Sequence, residues 1–254
     1  MIIDRKTIKI KANEVVKNNS ITYGLIVFQW IMTYVFSLIV IALFPQTDFM
    51  QSIVIIINGL ISSMIAFFIA IGGLKVIRDE DWISKEEKWS PYHVLRYFPA
   101  ALLSQLYIFL WTLLLIVPGI IKALSYSMLP YILKDDHSVN AKEAITRSRE
   151  MMNGNKLELF ILYITYYIVP FLLGVAGAIS LGAFLFRFIS LLGGYGAETS
   201  AGSSFFGFFL LGIVLLIASF VFYLRNITRC NIAVAIFYET LKEKRDEELN
   251  FPHF

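Results

Sequence analysis

The chain has 254 residues, of which 57% are hydrophobic and only 16% are charged, with a formal net charge of +3. It is far more apolar than a soluble domain, and its modest charge gives no reason to expect a nucleic-acid partner. One cysteine excludes an internal disulfide and any CxxC metal or redox motif, and three scattered histidines argue against a zinc site.

Long apolar runs indicate the fold class. Several reach the roughly 18 to 20 residues needed to cross a hydrocarbon core of ~30 Å. Only helices and closed barrels span lipid, and these runs lack the alternation of barrel strands. We therefore predict an all-α polytopic membrane protein with a single membrane domain of residues 21–240 and short amphipathic interfacial helices. The predicted spans are residues 21–44, 52–77, 98–117, 120–133, 157–180 and 205–224.

Residues 1–20 form a basic segment in which Ile8, Ala12, Val15 and Val16 share one helical face. This pattern favours an interfacial helix, and a solvated basic tail is the alternative. The segment lacks the layout of a cleaved signal peptide, so we expect the first apolar run to act as an uncleaved membrane signal.

Two ridges of small residues recur at i, i+4 and i+8. Small residues let helices approach closely, so we interpret both ridges as packing faces, either inside the protein or between protomers. They are Ser62, Ala66 and Ala70 in the second span, and Gly174, Ala178 and Gly182 at the end of the fifth span and just beyond it.

Residues 98–117 form an apolar run that Pro118 and Gly119 interrupt, and a second apolar run of residues 120–133 carries Lys122 and Pro130. Proline cannot donate a backbone hydrogen bond and glycine tolerates positive φ, so the pair predicts a helix break between a third span and a short fourth one. A single kinked span is the alternative, and the short fourth segment can either cross fully or re-enter.

Residues 140–153 carry the start and stop signals of a short amphipathic helix. Asn140 is the predicted N-cap with Glu143 as its capping-box partner, and Gly154 suits the C-terminal end. We expect this helix to lie on or against the membrane domain. Its predicted apolar stripe consists of Ala141, Ala144, Ile145, Met151 and Met152.

The apolar run of residues 157–192 is too long for one ordinary span and barely long enough for two. Pro170 predicts a helix break inside it. We predict one span over residues 157–180, followed by residues 181–192 along the outer surface, with Arg187 reaching the headgroups.

The distribution of Lys and Arg selects the topology. With six spans and the N-terminus inside, all basic residues except Lys122 and Arg187 lie in inside segments, and both ends, including the charged tail of residues 241–254, are cytoplasmic. Dividing residues 157–192 into two spans, or merging 98–133 into one, would place basic segments outside. The inside segments are residues 1–19, 75–96, 134–156 and 225–254.

Charged residues in apolar segments are candidate ligand contacts. Lys122, just past the predicted break, could line a cationic pocket for an anionic headgroup or a peptide carboxylate, or could snorkel to the outer interface. Arg225 and Arg229 share a helical face and could bind phosphate, or could anchor the inner interface. Arg187 is the fourth candidate. The chain has no G-x-S-x-G, H-E-x-x-H or P-loop motif, so we expect neither an enzyme nor a cofactor.

Two strings carry a resemblance to a known family: LWTLLLIVPGIIKALSYSMLPYIL (110–133) and AKEAITRSREMMNGNKLELF (141–160). They resemble family 975 of the bacterial domains of unknown function and, more distantly, the membrane part of some glycerophosphodiesterases. The resemblance implies a polytopic bacterial protein of the cytoplasmic membrane and leaves its activity open.

Three hypotheses for function remain. The first is a non-catalytic accessory or scaffold component of an envelope or export system, with membrane lipids and a membrane protein or a second copy as partners. The second is a transporter or binding protein for lipids or amphiphilic peptides, of the tolerance or immunity type. The third is an intramembrane enzyme, which the missing motifs disfavour.

Overall fold

The computed structural model describes residues 4–18, 31, 34, 35, 39, 42, 48–80, 91–192 and 202–250. Within these residues every regular element is an α-helix, which confirms the predicted all-α class for the described part of the chain. The predicted first span, residues 21–44, lies outside the described residues except at five helical positions.

Five stretches of the described helices are long and apolar enough to cross a membrane, which indicates a multi-pass membrane protein. Two of them, α7 and α8 as numbered below, exceed the length of an ordinary span. In chain order the described helices are α1 Arg5–Asn18, α2 Asp48–Ile77, α3 Pro91–Leu114, α4 Ile116–Ser125, α5 Leu129–Asp135, α6 Ala141–Met151, α7 Lys156–Leu192 and α8 Gly202–Asn250.

The chain forms two compact units, the first of residues 1–162 and 228–254 and the second of residues 163–227. The core of the first unit is built around the C-terminal half of α8. There Ile232, Ala233, Ala235 and Phe237 are fully buried. A helix segment that is apolar on all sides is typical of a buried core helix. The sequence assigns this part of α8 to an inside segment, and the structure shows that it also forms the core of the first unit.

The N-terminal helix α1 packs on the first unit through the predicted apolar face. Ile8, Ala12 and Val16 are buried, and Arg5 Nε lies 3.0 Å from a carboxylate oxygen of Glu158. The solvated-tail alternative is therefore wrong, because burial of this stripe holds the helix on the protein.

The helix break predicted at Pro118 and Gly119 occurs three residues earlier, at Leu115, which is extended between α3 and α4. Pro118 instead lies in the first turn of α4. Proline fits there because the first N–H groups of a helix have no intrahelical acceptor. Gly119 is needed for close packing, since a Cβ would lie 2.9 Å from Thr112 Cα.

Helix α6 forms where its capping signals predict. The Asn140 side chain accepts a hydrogen bond of 3.0 Å from the Glu143 N–H, and Gly154 has a left-handed φ of 78°. The Glu143 carboxylate contacts Arg147 at 2.8 Å, one turn along the helix. Ala144, Ile145 and Met152 of the predicted stripe are buried, so α6 packs on the first unit.

In the second unit, parts of α7 and α8 pack on each other. A Cβ at Gly174 would lie 3.1 Å from Ser219 Oγ, and one at Gly177 would lie 2.9 Å from Leu216 Cγ. Of the predicted ridge only Gly174 makes this contact, since Ala178 is exposed and a Cβ on Gly182 would meet nothing within 4 Å. Four-residue steps rotate about 40° per step away from a fixed face, so the ridge leaves the interface.

The small-residue ridge predicted in α2 is mostly exposed in the single chain, so packing between protomers stays a prediction for it. Ser62 and Ala66 are exposed and Ala70 is half-buried. The buried side of α2 is displaced by one residue from that ridge. Its members are Ser63, Phe67, Ile71 and Leu74.

Two predictions for α7 are wrong. Residues 181–192 do not form a separate surface segment, because α7 continues to Leu192 and Leu181 packs against Gly212 of α8. Pro170 does not break the helix either. Its carbonyl accepts a 2.6 Å hydrogen bond from Ser219 Oγ, so a neighbouring side chain supports the backbone at the proline.

Candidate functional site

The C-terminal end of α2 forms a tight turn that positions Arg78. The Glu80 N–H donates to the Lys75 carbonyl at 2.9 Å, and Asp79 has a left-handed φ of 56°. This is the hydrogen-bond pattern of a Schellman motif, with aspartate in the place that glycine usually fills. Arg78, the residue before the left-handed position, reaches α5 and α8.

Arg78 makes a two-pronged contact with Asp135. Its Nη1 and Nη2 atoms lie 2.7 Å and 3.0 Å from the two carboxylate oxygens, and its Nε donates to Glu239 Oε1 at 2.6 Å. Bidentate arginine–carboxylate pairs are strong and directional. Two carboxylates therefore fix the plane of one guanidinium.

The same carboxylate of Asp135 accepts two further hydrogen bonds at Oδ2. Lys242 Nζ donates at 2.6 Å and the Tyr238 hydroxyl at 2.9 Å. The Tyr238 ring stacks on Tyr131, with centroids 5.0 Å apart. We call Arg78, Asp135, Tyr238, Glu239 and Lys242 the Arg78–Asp135 cluster.

The Arg78–Asp135 cluster carries no net charge, because two cations face two carboxylates. The side chains of Arg78 and Asp135 are 23% and 13% exposed, so the pair is shielded from water. The hydrogen bonds that Arg78 donates to Asp135 raise the Arg78 pKa above its usual value, and the guanidinium stays charged. A neutral cluster whose members bind one another ties α2, α5 and α8 together and leaves little attraction for an added ion.

A second polar group orders the connection between α5 and α6. Asp136 accepts from the N–H and hydroxyl of Ser138 at 3.0 Å and 2.6 Å, and from Arg147 at 2.8 Å. These contacts, the Ser138 hydroxyl first, lower the Asp136 pKa to about 2. Arg96 contacts His137 Nδ1 at 2.7 Å and donates to the Asp136 carbonyl, which joins α3 to this connection.

The four predicted ligand contacts have different surroundings. Lys122 Nζ lies 4.6 Å from the centroid of the Trp111 ring, and Arg187 lies 5.3 Å from that of Phe208. Arg225 is exposed. Arg229 Nε is buried and has no hydrogen-bond acceptor in the described structure. The buried Thr228 hydroxyl likewise has no hydrogen-bond partner there.

Serines in the first unit bond to backbone carbonyls, as expected for serine in apolar helices. Ser125 Oγ donates to the Ile121 carbonyl at 2.7 Å, and the Ser125 carbonyl accepts from Ser148 Oγ at 2.9 Å. Among the described residues, no group of three His, Cys, Asp or Glu side chains could hold a metal ion.

Sequence reasoning missed the Arg78–Asp135 cluster. Its members were visible only as charges at the ends of apolar runs, in segments predicted to be cytoplasmic. Asp135 stood in a charged block that closes an apolar run, and Glu239 and Lys242 follow the run that ends at Tyr238. Such positions give no indication of which distant charges pair.

Comparison with known proteins places the chain in a family. No curated protein and no solved structure matches it. The family model described as "Protein of unknown function (DUF975)" matches residues 1–245, in agreement with the resemblance of the two strings. The chain therefore belongs to the DUF975 family of proteins of unknown function.

Proposed function

We propose that this protein is a non-catalytic scaffold or accessory component of a bacterial envelope or export system, resident in the cytoplasmic membrane with both ends in the cytoplasm. The observation that carries this proposal is the closed Arg78–Asp135 cluster. Its charged groups pair with one another, so the cluster holds α2, α5 and α8 together. The concentration of Lys and Arg in the four segments assigned to the inside supports this topology.

The cations within apolar segments support the same function. Lys122 and Arg187 each lie over an aromatic ring, where a cation–π contact stabilises the charge without a ligand. The outer surface of the second unit is apolar, with Phe186 and Ile189 strongly exposed. This surface suits membrane lipids and a membrane-embedded partner, which is either another protein or a second copy of the chain.

The test is affinity purification of the tagged full-length protein from native membranes, followed by native mass spectrometry. An accessory role predicts a stoichiometric membrane protein partner that is absent when the same tag is placed on an unrelated multi-pass protein. A chain recovered alone, with defined lipid or peptide bound, would refute the scaffold proposal.

A second candidate function is binding of lipids or amphiphilic peptides. It is favoured by Arg229 and Thr228, whose buried polar atoms have no acceptor in the described structure. An anionic headgroup or carboxylate would supply one. Under this candidate, the double substitution Lys122→Ala and Arg229→Ala lowers retention of anionic lipid in native mass spectra. The exposed pair Lys6→Ala and Lys17→Ala is the control, and equal retention in both variants would exclude this candidate.

A further inference from the structure

The tip of the α3–α4 hairpin is an exposed apolar surface. Residues 113–117 are Leu, Leu, Leu, Ile and Val, and each is 66% to 74% exposed. Between residues 108 and 121 the only hydroxyl is that of Thr112, which donates to the Ile108 carbonyl at 2.8 Å. The tip therefore offers headgroups or water no polar side chain.

A polar layer lies just below this tip. Lys122 and Trp111 stack on each other, and Lys122 is six residues from the start of α4. At 1.5 Å per residue, the Lys122 backbone is about 9 Å from the tip. Lysine and tryptophan together are typical of the headgroup region, where the cation meets water or phosphate and the ring meets the acyl boundary.

The order of these layers decides the direction of insertion. If Lys122 and Trp111 lay at the far side of the membrane, the hairpin would cross it completely. The five large apolar side chains of residues 113–117 would then lie in water. Each would lose roughly 1.5 to 3 kcal/mol relative to burial. If the pair marks the side of entry, the same side chains lie among acyl chains.

We propose that the α3–α4 hairpin is a re-entrant wedge whose tip, residues 113–117, is embedded in the acyl chains of the inner leaflet, with Lys122 and Trp111 at the inner headgroups. The distance of about 9 Å along the helix is the upper limit of the depth, and oblique entry keeps the tip within the roughly 5 to 10 Å to which interfacial helices insert. The opposite end of the hairpin is fastened on the entry side, where Arg96 bonds to His137 and Asp136.

The outer face of α3 fits an oblique entry into the leaflet. Exposed apolar side chains recur along one stripe of this helix. With Trp111 at the headgroups, α3 lies obliquely along the interface, and this stripe faces the acyl boundary while the tip reaches deeper. The members of the stripe are Phe98, Leu102, Leu106, Phe109 and Leu113.

The wedge also simplifies the charge distribution. A hairpin that enters and leaves by the same side changes no downstream orientation, so both chain ends stay inside. Lys122 and Arg187 are the two basic residues outside the inside segments. With the wedge, Lys122 also lies on the inner side, and Arg187 is then the single exception to the charge bias. This assignment rests on the cytoplasmic placement of residues 134–156 proposed above, which a label at Asn140 tests separately.

The test uses single cysteines in a Cys230→Ser background. Lys122→Cys and, as a milder second variant, Ala123→Cys are treated with a membrane-impermeant thiol reagent in intact cells and in inside-out vesicles. Leu115→Cys carries a nitroxide in proteoliposomes, where its collisions with oxygen and with a water-soluble nickel complex are compared. Ile179→Cys and Asp246→Cys are the lipid-facing and aqueous references.

The wedge predicts labelling of positions 122 and 123 in inside-out vesicles only. It also predicts that the spin label at position 115 resembles the one at 179, with oxygen exceeding nickel in collisions. Labelling from outside, or at neither surface, would overturn the proposal. So would nickel access at 115 equal to that at 246, or a label shielded from both reagents, which would mean that protein covers the tip.

Discussion

The Asn226 side chain donates a 2.8 Å hydrogen bond to the backbone carbonyl of Tyr166. This carbonyl is four residues before Pro170, which has no N–H to occupy it. An asparagine on α8 therefore supplies the bond that the proline removes from α7. This explains how α7 remains one helix through Pro170 in an apolar setting.

Replacing Asn226 tests how much its hydrogen bond to the Tyr166 carbonyl contributes to stability. We expect Asn226→Leu to destabilise the protein by roughly 1 to 2 kcal/mol, because the Tyr166 carbonyl loses its donor. Thermal unfolding in detergent measures the loss.

The matched control for Asn226→Leu is the same change in a Pro170→Ala background. Alanine restores an N–H at position 170, so the cost of removing Asn226 should nearly vanish there. Equal costs in both backgrounds would show that the two residues act independently.

Gly177 and Gly182 should respond oppositely to alanine. A Cβ at Gly177 would lie 2.9 Å from Leu216 Cγ and 3.1 Å from the Gly212 carbonyl oxygen, whereas one at Gly182 would contact nothing within 4 Å. Gly177→Ala should cost roughly 1 to 3 kcal/mol through overpacking. Gly182→Ala should be neutral or stabilising by up to about 1 kcal/mol through helix propensity. Unfolding midpoints compare the two, and equal effects would contradict the α7–α8 packing.

The Arg78–Asp135 cluster should make a large contribution to stability through Asp135. Asp135→Asn removes the negative charge that faces Arg78 and Lys242, and we expect a loss of about 3 kcal/mol because two partly buried cations remain. Asp246→Asn on the exposed face of α8 is the control and should change stability by less than about 0.5 kcal/mol. Similar unfolding midpoints for the two variants would show that the cluster does not hold the helices together.

Asp136 should give a defined acid dependence. Its folded-state pKa is about 2, below the usual 3.8, so its contribution is full above the higher value and is lost as pH falls toward the lower one. The difference in unfolding midpoint between the native chain and Asp136→Asn should be constant near neutral pH and should close below about pH 4. A difference that persists unchanged to about pH 2 would mean that it does not come from the ionised carboxylate, and no difference near neutral pH would mean that the Asp136 contacts do not stabilise the fold.

Local signals in the sequence were sufficient where the structure depends on local chemistry. Asn140 caps α6 by accepting from the N–H of Glu143, only three residues along the chain. The buried stripe of α1 follows from helical periodicity alone. The predicted break at Pro118 lies three residues too late, since proline is tolerated in the first turn of a helix. The uninterrupted α7 could not be foreseen, because the donor that compensates for Pro170 lies 60 residues away at Asn226.

The candidate site was less predictable than the fold. Lys122 and Arg187 were recognised as unusual, but their aromatic partners come from other helices. The predicted ridge at Ala178 and Gly182 followed four-residue steps, while the interface follows the 3.6-residue period through Gly174 and Gly177. Pairing of Arg78 with Asp135 depends on the tertiary arrangement of three helices, and no single segment encodes it.

The proposed topology places the basic segments and both ends of the chain on the cytoplasmic side. Its most direct test places single cysteines at Asn140 and Thr199 in the Cys230→Ser background and treats intact cells with a membrane-impermeant thiol reagent. We predict labelling at position 199 from outside, and labelling at position 140 only after the inner face is exposed. Labelling of position 140 from outside, with position 199 protected, would contradict the topology and the function built on it.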